Sequence, residues 1–345
     1  MNIASKYQKF ANNTVMNSVR RVLIDEIPVW TFDDVHFINF NSSVYNMEYI
    51  IQRLQLIPLI QSIITNKNKD VTFACNIKNS TNNWLTVTPN DIKSSDDKLL
   101  PMNKLIKSNI LKNLPIIKLP PNESINFTAK LKQGVGYGYT KFCHAWYDDD
   151  YFYVESIDKC TDTTAALKKA FDTLISYCNT IKKQAIKQTN NYSNENTLKI
   201  ELEFKDVSRS ALNIIVKRLR ELIRYSIAYI KHINAGNASN LSSEQLYELV
   251  KPNDYIVSLV QPHMSENFFK VFIDINMDYV KINNENNNVK KYIQDMFPNI
   301  IRSTDFSIDR NENKYMHFCI YMFSMAINVV MNELTAFKNS IKLIN

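Results

Sequence analysis

The sequence predicts an α+β fold with more than one domain, and three observations support this. The chain has 345 residues, whereas a single hydrophobic core rarely grows beyond about 250 to 300 residues. Hydrophobic residues make up 45% of the chain and charged residues 22%, which is the balance of a globular protein. Stretches with helical periodicity alternate with short runs rich in Val, Ile and Thr, so both helices and sheets are expected.

The N-terminal segment predicts two helices with a strand between them. Apolar residues recur on one face of residues 14–25, and Pro28 ends this helix. Residues 29–40 alternate and are rich in Val, Phe and Ile, which is typical of a strand. Residues 46–57 show helical periodicity again. Helix, strand and helix are therefore expected before residue 60.

A β-rich region follows between residues 70 and 135, in short apolar runs broken by Asn and Pro. Three of the four glycines of the chain, Gly134, Gly136 and Gly138, lie at its end. Such clustering in a glycine-poor chain predicts a turn or a bulge with unusual backbone angles. A phosphate-binding loop is the less favoured alternative, because no Gly-Lys-Ser/Thr follows.

Three long helices are predicted in the rest of the chain, over residues 163–184, 209–233 and 324–344. The first two each follow a strand-like run. The last helix has apolar residues at alternating spacings of three and four, which is the pattern of a heptad seam. This seam is expected to pack against the middle helix. The residues predicted to pair the two helices are Leu212, Ile215 and Leu219 in the middle helix, and Ile327, Val330, Leu334, Phe337 and Ile341 in the last.

No catalytic or metal-binding constellation is expected. The five cysteines and five histidines lie without CxxC or metal-ligand spacing, so neither a metal nor another cofactor is predicted. Cys143 and His144 could suggest a Cys–His hydrolase, but neighbours in a strand face opposite sides. Asp148, Asp149 and Asp150 are interpreted as a solvated turn rather than as a cation site.

Two sequence blocks carry a specific resemblance. Residues 16–28 are Met-Asn-Ser-Val-Arg-Arg-Val-Leu-Ile-Asp-Glu-Ile-Pro, and residues 41–59 are Asn-Ser-Ser-Val-Tyr-Asn-Met-Glu-Tyr-Ile-Ile-Gln-Arg-Leu-Gln-Leu-Ile-Pro-Leu. Together they resemble the α-like assembly-platform subunit of RNA polymerases, whose members are bacterial α, archaeal D and the third-largest subunit of polymerase II. The resemblance implies that six residues bind the second-largest subunit: Asn17, Arg20, Arg21, Asn41, Ser42 and Arg53.

The same family pattern continues through the middle of the chain. It implies an RNA polymerase α-type dimerisation domain made of residues 1–60 and 197–233, with residues 61–196 as a β-rich inserted domain. In this pattern a strand followed by a long helix closes the dimerisation domain. Residues 197–233 are preferred for this role, and residues 151–184 are the alternative.

Residues 280–310 resemble the small partner subunit, archaeal L or the eleventh subunit of polymerase II, around Asn-Asn-Glu and the apolar rhythm that follows. A strand over 315–323 and the final helix complete this pattern. Residues 266–345 are therefore predicted as a second, smaller α-type dimerisation domain, joined by a linker over 234–265. By analogy, a fusion of both partners in one chain suggests a large DNA virus.

The resemblance implies a non-catalytic subunit that recruits the second-largest and largest polymerase subunits and contacts other small subunits. DNA and RNA would be reached only through the complex. The two dimerisation domains are expected to pair within one chain, so no homodimer is expected. No membrane partner is expected, and the expected location is the host cytoplasm or the virion. The alternative is a stand-alone basic nucleic-acid-binding or virion structural protein, since the net charge is +7, although no dense Lys/Arg run supports it.

Overall fold

The fold is that of a computed structural model. It describes residues 4–65, 70–96, 105–106, 109–136, 138–139, 143–156, 162–188, 197–234, 245, 248–263, 267–276 and 314–344. These residues form helices and antiparallel sheets, which confirms the predicted α+β class. They divide into two compact units. Unit 1 comprises Met1–Ala11, Val19–Thr173 and Ile341–Asn345, and unit 2 comprises Asn12–Ser18 and Leu174–Ser340.

One sheet of unit 1 joins distant parts of the chain. Its order is β13-β1-β9-β8, all antiparallel. The strands are β1 (Ser5–Gln8), β8 (Cys143–Tyr147), β9 (Tyr151–Ser156) and β13 (Leu343–Ile344). Tyr7 of β1 and Phe152 of β9 are paired neighbours in this sheet, and both side chains are buried. Residue 344, predicted as helical, instead lies in β13 because it pairs with Lys6 of β1.

The second sheet of unit 1 has the order β2-β7-β3-β5. Its strands are β2 (Val29–Asn41), β3 (Thr72–Lys78), β5 (Lys93–Ser94) and β7 (Ser124–Gly134), beside the pair β4 (Leu85–Val87) and β6 (Ile117–Leu119). Phe32 and Phe73 meet edge to face at 5.1 Å in one core that extends across the sheet. The predicted domain boundary at residue 60 separates β2 from β7, but these two strands pair along their length in this sheet.

Two short helices of unit 1 accompany this sheet, α2 (Met47–Gln55) and α3 (Asn109–Lys112). Helix α2 packs on β2 through the buried side chains of Ile50 and Leu54. The glycine turn after β7 has the predicted unusual backbone, since Gly136 has a φ of 101°. A Cβ at Gly134 would lie 2.4 Å from the ring of Tyr139, so a larger residue there would displace that ring.

Unit 2 contains a three-stranded sheet of order β10-β12-β11. The strands are β10 (Thr197–Lys205), β11 (Tyr255–Val260) and β12 (Phe268–Asn276). The stretch 234–265, predicted as a linker, therefore includes an ordered strand. In this strand Val257 is buried and Ile256 is exposed.

Long helices complete both units. They are α4 (Thr163–Lys187), α5 (Arg209–Asn234) and α6 (Lys314–Ser340). Residues 315–323, predicted as a strand, form the start of α6, and Ile341 lies beyond its end. Residues 315–323 are hydrophobic at every position except His317, so their pattern could not distinguish a strand from a helix. Residues 280–310, which carry the resemblance to the small partner subunit, lie outside the described residues.

The described part of the chain includes no helix with the length and apolar character needed to cross a membrane.

Candidate functional site

The first helix presents two of the predicted partner-binding residues to solvent. Helix α1 (Asn13–Arg21) begins at a cap in which the Asn12 side chain accepts hydrogen bonds from the Thr14 and Val15 amides, at 3.1 and 3.2 Å. Asn17 and Arg21 are exposed one turn apart, and Arg20 is half-buried. The opposite face is buried, through Val15, Met16, Ser18 and Val19. The exposed stripe therefore carries an amide side chain and the guanidinium of Arg21.

The predicted helix 14–25 is α-helical only as far as Arg21. Residues Val22–Glu26 form a single π-helical turn, and the chain becomes extended at Ile27, just before Pro28. Val22 and Leu23 remain buried, so the wider turn keeps the apolar stripe facing the core. Such π turns are rare and often mark functional segments of helices.

The loop after β2 is held by a buried carboxylate. Glu123 accepts hydrogen bonds at one oxygen, Oε1, from the amide and hydroxyl of Ser43, at 2.8 and 2.6 Å. Ser42 tightens the same loop, because its hydroxyl accepts from the amides of Val44 and Tyr45. Burial opposes the charged form of Glu123, but the bonds from Ser43 and Ser42 outweigh it and lower the pKa of this carboxyl. Asn41 remains exposed at the start of the loop.

Glu123 was not among the predicted site residues. It ends the segment Pro-Pro-Asn-Glu, just before β7. The signal that could have found it is chemical, since a lone acid in a β-rich region often needs hydroxyl or amide donors. Through its bonds to Ser43, Glu123 holds the loop that follows Asn41 and includes Ser42.

Replacing Glu123 by glutamine should loosen this loop. Charge-assisted hydrogen bonds contribute about 1.5 to 3 kcal/mol, so we expect a loss of about 1 to 2 kcal/mol and faster hydrogen exchange at Ser43. Because the pKa lies below its ordinary value of 4.5, the carboxylate's stabilisation is complete above that pH. It is lost as the pH falls through the lowered pKa.

Urea unfolding between neutral and acidic pH, with exchange measured at the Ser43 amide, tests this expectation. Glu48→Gln is the matched control, since Glu48 is exposed on α2. If Glu123→Gln unfolds with the same pH dependence as the parent chain, Glu123 does not hold the loop.

Three exposed apolar side chains lie in the loop and at the start of α2, and we call Val44, Met47 and Tyr49 the 44–49 patch. Their side chains are 53%, 43% and 42% exposed. Tyr45 stacks on Tyr49 with ring centroids 5.5 Å apart, and Asn46 caps α2 by accepting from the Tyr49 amide at 2.9 Å. Ordered, exposed apolar side chains beside polar loop groups are typical of a protein-binding surface.

Arg53 differs from the other five predicted residues. Its guanidinium donates to the carbonyl of Pro115, and the side chain is half-buried. The arginine therefore ties α2 to the segment before β6 within unit 1. Asn17, Arg20 and Arg21 lie on α1, whereas Asn41 ends β2 and Ser42 begins the loop after it.

The predicted helix pair lies inside unit 2. Helices α5 and α6 pack against each other, and Arg218 of α5 forms ion pairs with Glu221 and with Glu333 of α6. Phe204 of β10 stacks on Phe323 at 5.6 Å. Six predicted seam residues are buried: Leu212, Ile215, Leu219, Ile327, Val330 and Leu334. Phe337 is half-buried, near the end of α6.

The disfavoured catalytic arrangements gain no support from the geometry. Cys143 is buried and His144 exposed on successive positions of β8, so they face opposite sides. Asp148 closes a turn by accepting from the amides of Asp150 and Tyr151, at 2.9 and 2.7 Å. Among the described residues, no three His, Cys, Asp or Glu side chains come together as metal ligands.

No family model matches the chain. It is similar to DNA-directed RNA polymerase II subunit rpb3 of Dictyostelium discoideum, with 31% identity over 169 residues, 43% of this chain and 56% of the relative. With DNA-directed RNA polymerases II, IV and V subunit 3 of Arabidopsis thaliana it shares 31% identity over 153 residues, 38% of this chain and 48% of the relative. With DNA-directed RNA polymerase subunit Rpo3 of Methanocaldococcus jannaschii the identity is 29%, over 41% of this chain and 69% of the relative.

The matches to eukaryotic relatives span about half the length of those proteins. The relatives are subunit 3 of RNA polymerases from eukaryotes and archaea. At about 30% identity, the similarity covers about 40% of the present chain.

Proposed function

We propose that the chain is a non-catalytic assembly subunit of a multisubunit DNA-directed RNA polymerase, which recruits the second-largest and largest subunits. The observation that carries the proposal is the similarity to polymerase subunit 3 from two domains of life. The exposed α1 stripe, the loop after β2 and the 44–49 patch supply surfaces suited to protein partners. A dispersed positive charge fits a subunit that meets nucleic acid only through its complex.

We further infer that both halves of an α-type pair lie on this one chain. Strand β1 pairs with β9, and the Ser5 and Tyr7 hydroxyls bond to Thr163 at the start of α4, at 2.7 and 3.0 Å. This supports residues 151–187 as the strand–helix unit that closes the first half, in place of the preferred 197–233. Strand β10 instead joins β12 and β11, so residues 197–234 would belong to the second half.

Co-purification tests the proposed function. A tagged copy of the chain, expressed with the second-largest and largest subunits from the same genome, should recover both at equal stoichiometry. The complex should survive a wash at about 1 M salt, where the Debye length is only about 3 Å. A stand-alone nucleic-acid binder would release its ligand steeply with salt and recover neither subunit.

Light scattering on the isolated chain tests internal pairing. The expected mass is that of one 40.2 kDa chain, because a tethered partner acts at an effective concentration near the millimolar range. A free second copy at micromolar concentration cannot compete with it. A stable dimer of twice the chain mass would refute the fusion while leaving the polymerase assignment open.

A further inference from the structure

The outer face of the sheet β13-β1-β9-β8 in unit 1 carries aromatic side chains that the core does not use. Along β9, Phe152 and Val154 are buried on one face of the sheet. Tyr151 and Tyr153 alternate with them and are half-buried on the other face. Trp146 of β8 lies on this outer face too, because it is the cross-strand neighbour of Tyr153, and its side chain is 42% exposed.

The inner face of the same sheet holds this surface in place. Tyr7 of β1 is buried, and its hydroxyl forms hydrogen bonds with the Thr163 and Thr164 hydroxyls at the start of α4, both at 3.0 Å. Phe152 packs against Phe10 with ring centroids 5.4 Å apart. Because the strands are fixed from within, the outer side chains form a pre-organised surface, and pre-organisation lowers the entropic cost of binding.

Trp146 and Tyr153 form a parallel stack on the outer face. Their ring centroids are 5.4 Å apart, and the ring planes differ by 9°. Stacking covers one face of the indole, and within the described part of the chain no second ring covers the other. The face of an aromatic ring carries partial negative charge, so an uncovered indole face attracts cations.

One ring of this face already binds a cation of the chain itself. The Nζ atom of Lys6 in β1 lies 3.5 Å from the ring centroid of Tyr151. This distance is well inside the range of a cation–π interaction. The ammonium lies over Tyr151, two positions along β9 from Tyr153, so it leaves the Trp146 ring to a cation from outside the chain.

A carboxylate lies at each end of the stack. At one end Asp148 accepts the Tyr153 hydroxyl at 2.9 Å, and hydrogen bonds from the Asp150 and Tyr151 amides lower the pKa of this carboxyl. At the other end Glu155 follows two positions after Tyr153, on the same face of β9. In the part of the chain that the structure describes, the Glu155 carboxylate forms neither an ion pair nor a hydrogen bond.

An arginine side chain matches this combination of an uncovered ring and flanking carboxylates. Its planar guanidinium stacks on aromatic faces, and its forked N–H donors bind carboxylates. A nucleic-acid strand could stack its bases on the rings, but Asp148 and Glu155 would repel its phosphates. A proline-rich segment also docks on aromatic rings, but it would leave both carboxylates without a counter-charge.

We propose that the outer face of the sheet β13-β1-β9-β8 is a docking site for an arginine-bearing extended segment of a protein partner. The guanidinium stacks on Trp146 and donates to the carboxylate of Glu155, while Asp148 adds negative charge at the other end of the stack. The inference stands independently of the polymerase assignment, because it uses only the contacts of unit 1.

Fluorescence anisotropy on the full chain tests the proposal. The probe is a labelled peptide that alternates arginine with threonine. Its controls are the same peptide with lysine for arginine, the same peptide with glutamine for arginine, a proline-rich peptide and a single-stranded oligonucleotide. Trp146→Leu with Glu155→Gln removes the ring and the charge, and it should weaken binding of the arginine peptide at least tenfold, which corresponds to about 1.4 kcal/mol.

Trp84→Leu with Glu248→Gln is the matched control variant. Trp84 precedes β4 and is 56% exposed, and Glu248 is an exposed glutamate of unit 2, so the same ring and the same charge are lost elsewhere. This variant should bind within about twofold of the parent chain, because surface substitutions rarely propagate. Far-ultraviolet circular dichroism and urea unfolding of both double variants check that each is folded.

The expected pattern is binding of the arginine peptide, at least threefold weaker binding of the lysine peptide, no binding of the glutamine peptide, and loss on the Trp146/Glu155 change alone. Absence of binding by the arginine peptide overturns the proposal. So does equal binding of the lysine peptide, or equal loss in the Trp84/Glu248 variant, since either would indicate an unspecific charge effect. Tighter binding of the proline-rich peptide or the oligonucleotide, abolished by the Trp146/Glu155 change, would also overturn it and assign the face to that other ligand.

Discussion

Replacing both Arg20 and Arg21 with alanine is expected to abolish stoichiometric recovery of the second-largest polymerase subunit. Arg21 is exposed and Arg20 half-buried at the end of α1, so the change removes forked donors and little of the core. Arginines buried at the centre of an interface typically contribute 2 kcal/mol or more. The chain itself should lose only about 0.5 to 1 kcal/mol in unfolding free energy, since no fully buried side chain is touched.

The matched control is Lys130→Ala with Lys132→Ala, which removes two exposed charges from strand β7 of the same unit. Co-purification of each variant with the second-largest subunit, together with urea unfolding, separates binding from folding. Normal assembly of the Arg20/Arg21 variant would remove α1 from the partner interface. Loss of assembly in both variants would indicate a general charge effect instead.

Local periodicity was enough to predict most helices and strands. Helices depend on contacts between residues three or four positions apart, as in residues 14–25 and in the three long helices. The strand at residues 29–40 depends on alternation, in which residues two positions apart share a face. The segment 315–323 failed because consecutive apolar residues suit a buried helix and a strand equally well. Strand β11 was missed because Tyr255–Val260 is a six-residue apolar run, broken only by Ser258, and such a short run without alternation gives no clear period.

Contacts between distant residues were out of reach of such reasoning. Pairing of β1 with β9 joins residues nearly 150 positions apart, and it brings β9 rather than β10 beside the N-terminal strand. The same holds for the candidate site. The pattern around Arg20 and Arg21 was visible along the chain, whereas the carboxylate of Glu123 reaches Ser43 only through folding of β7 beside β2.

The second large effect is expected at Leu334, where α6 packs on α5. The Leu334 side chain is 1% exposed, and an aspartate there would place an unpaired charge among apolar side chains. Burial of such a charge costs several kcal/mol, roughly 3 to 5 by comparison with broken buried pairs. Because whole domains are stable by only about 5 to 15 kcal/mol, Leu334→Asp should unfold unit 2, aggregate, and fail to enter the polymerase.

The matched control for Leu334→Asp is Ala336→Asp, which adds the same charge two positions along α6, where the side chain is exposed. It should cost only about 0.5 to 1 kcal/mol, the difference in helix propensity. Leu334→Ala, which leaves a cavity without a charge, should fall between them at about 2 to 5 kcal/mol. Urea unfolding and light scattering rank the three variants. If Leu334→Asp unfolds like Ala336→Asp, the packing of α6 on α5 does not hold unit 2 together.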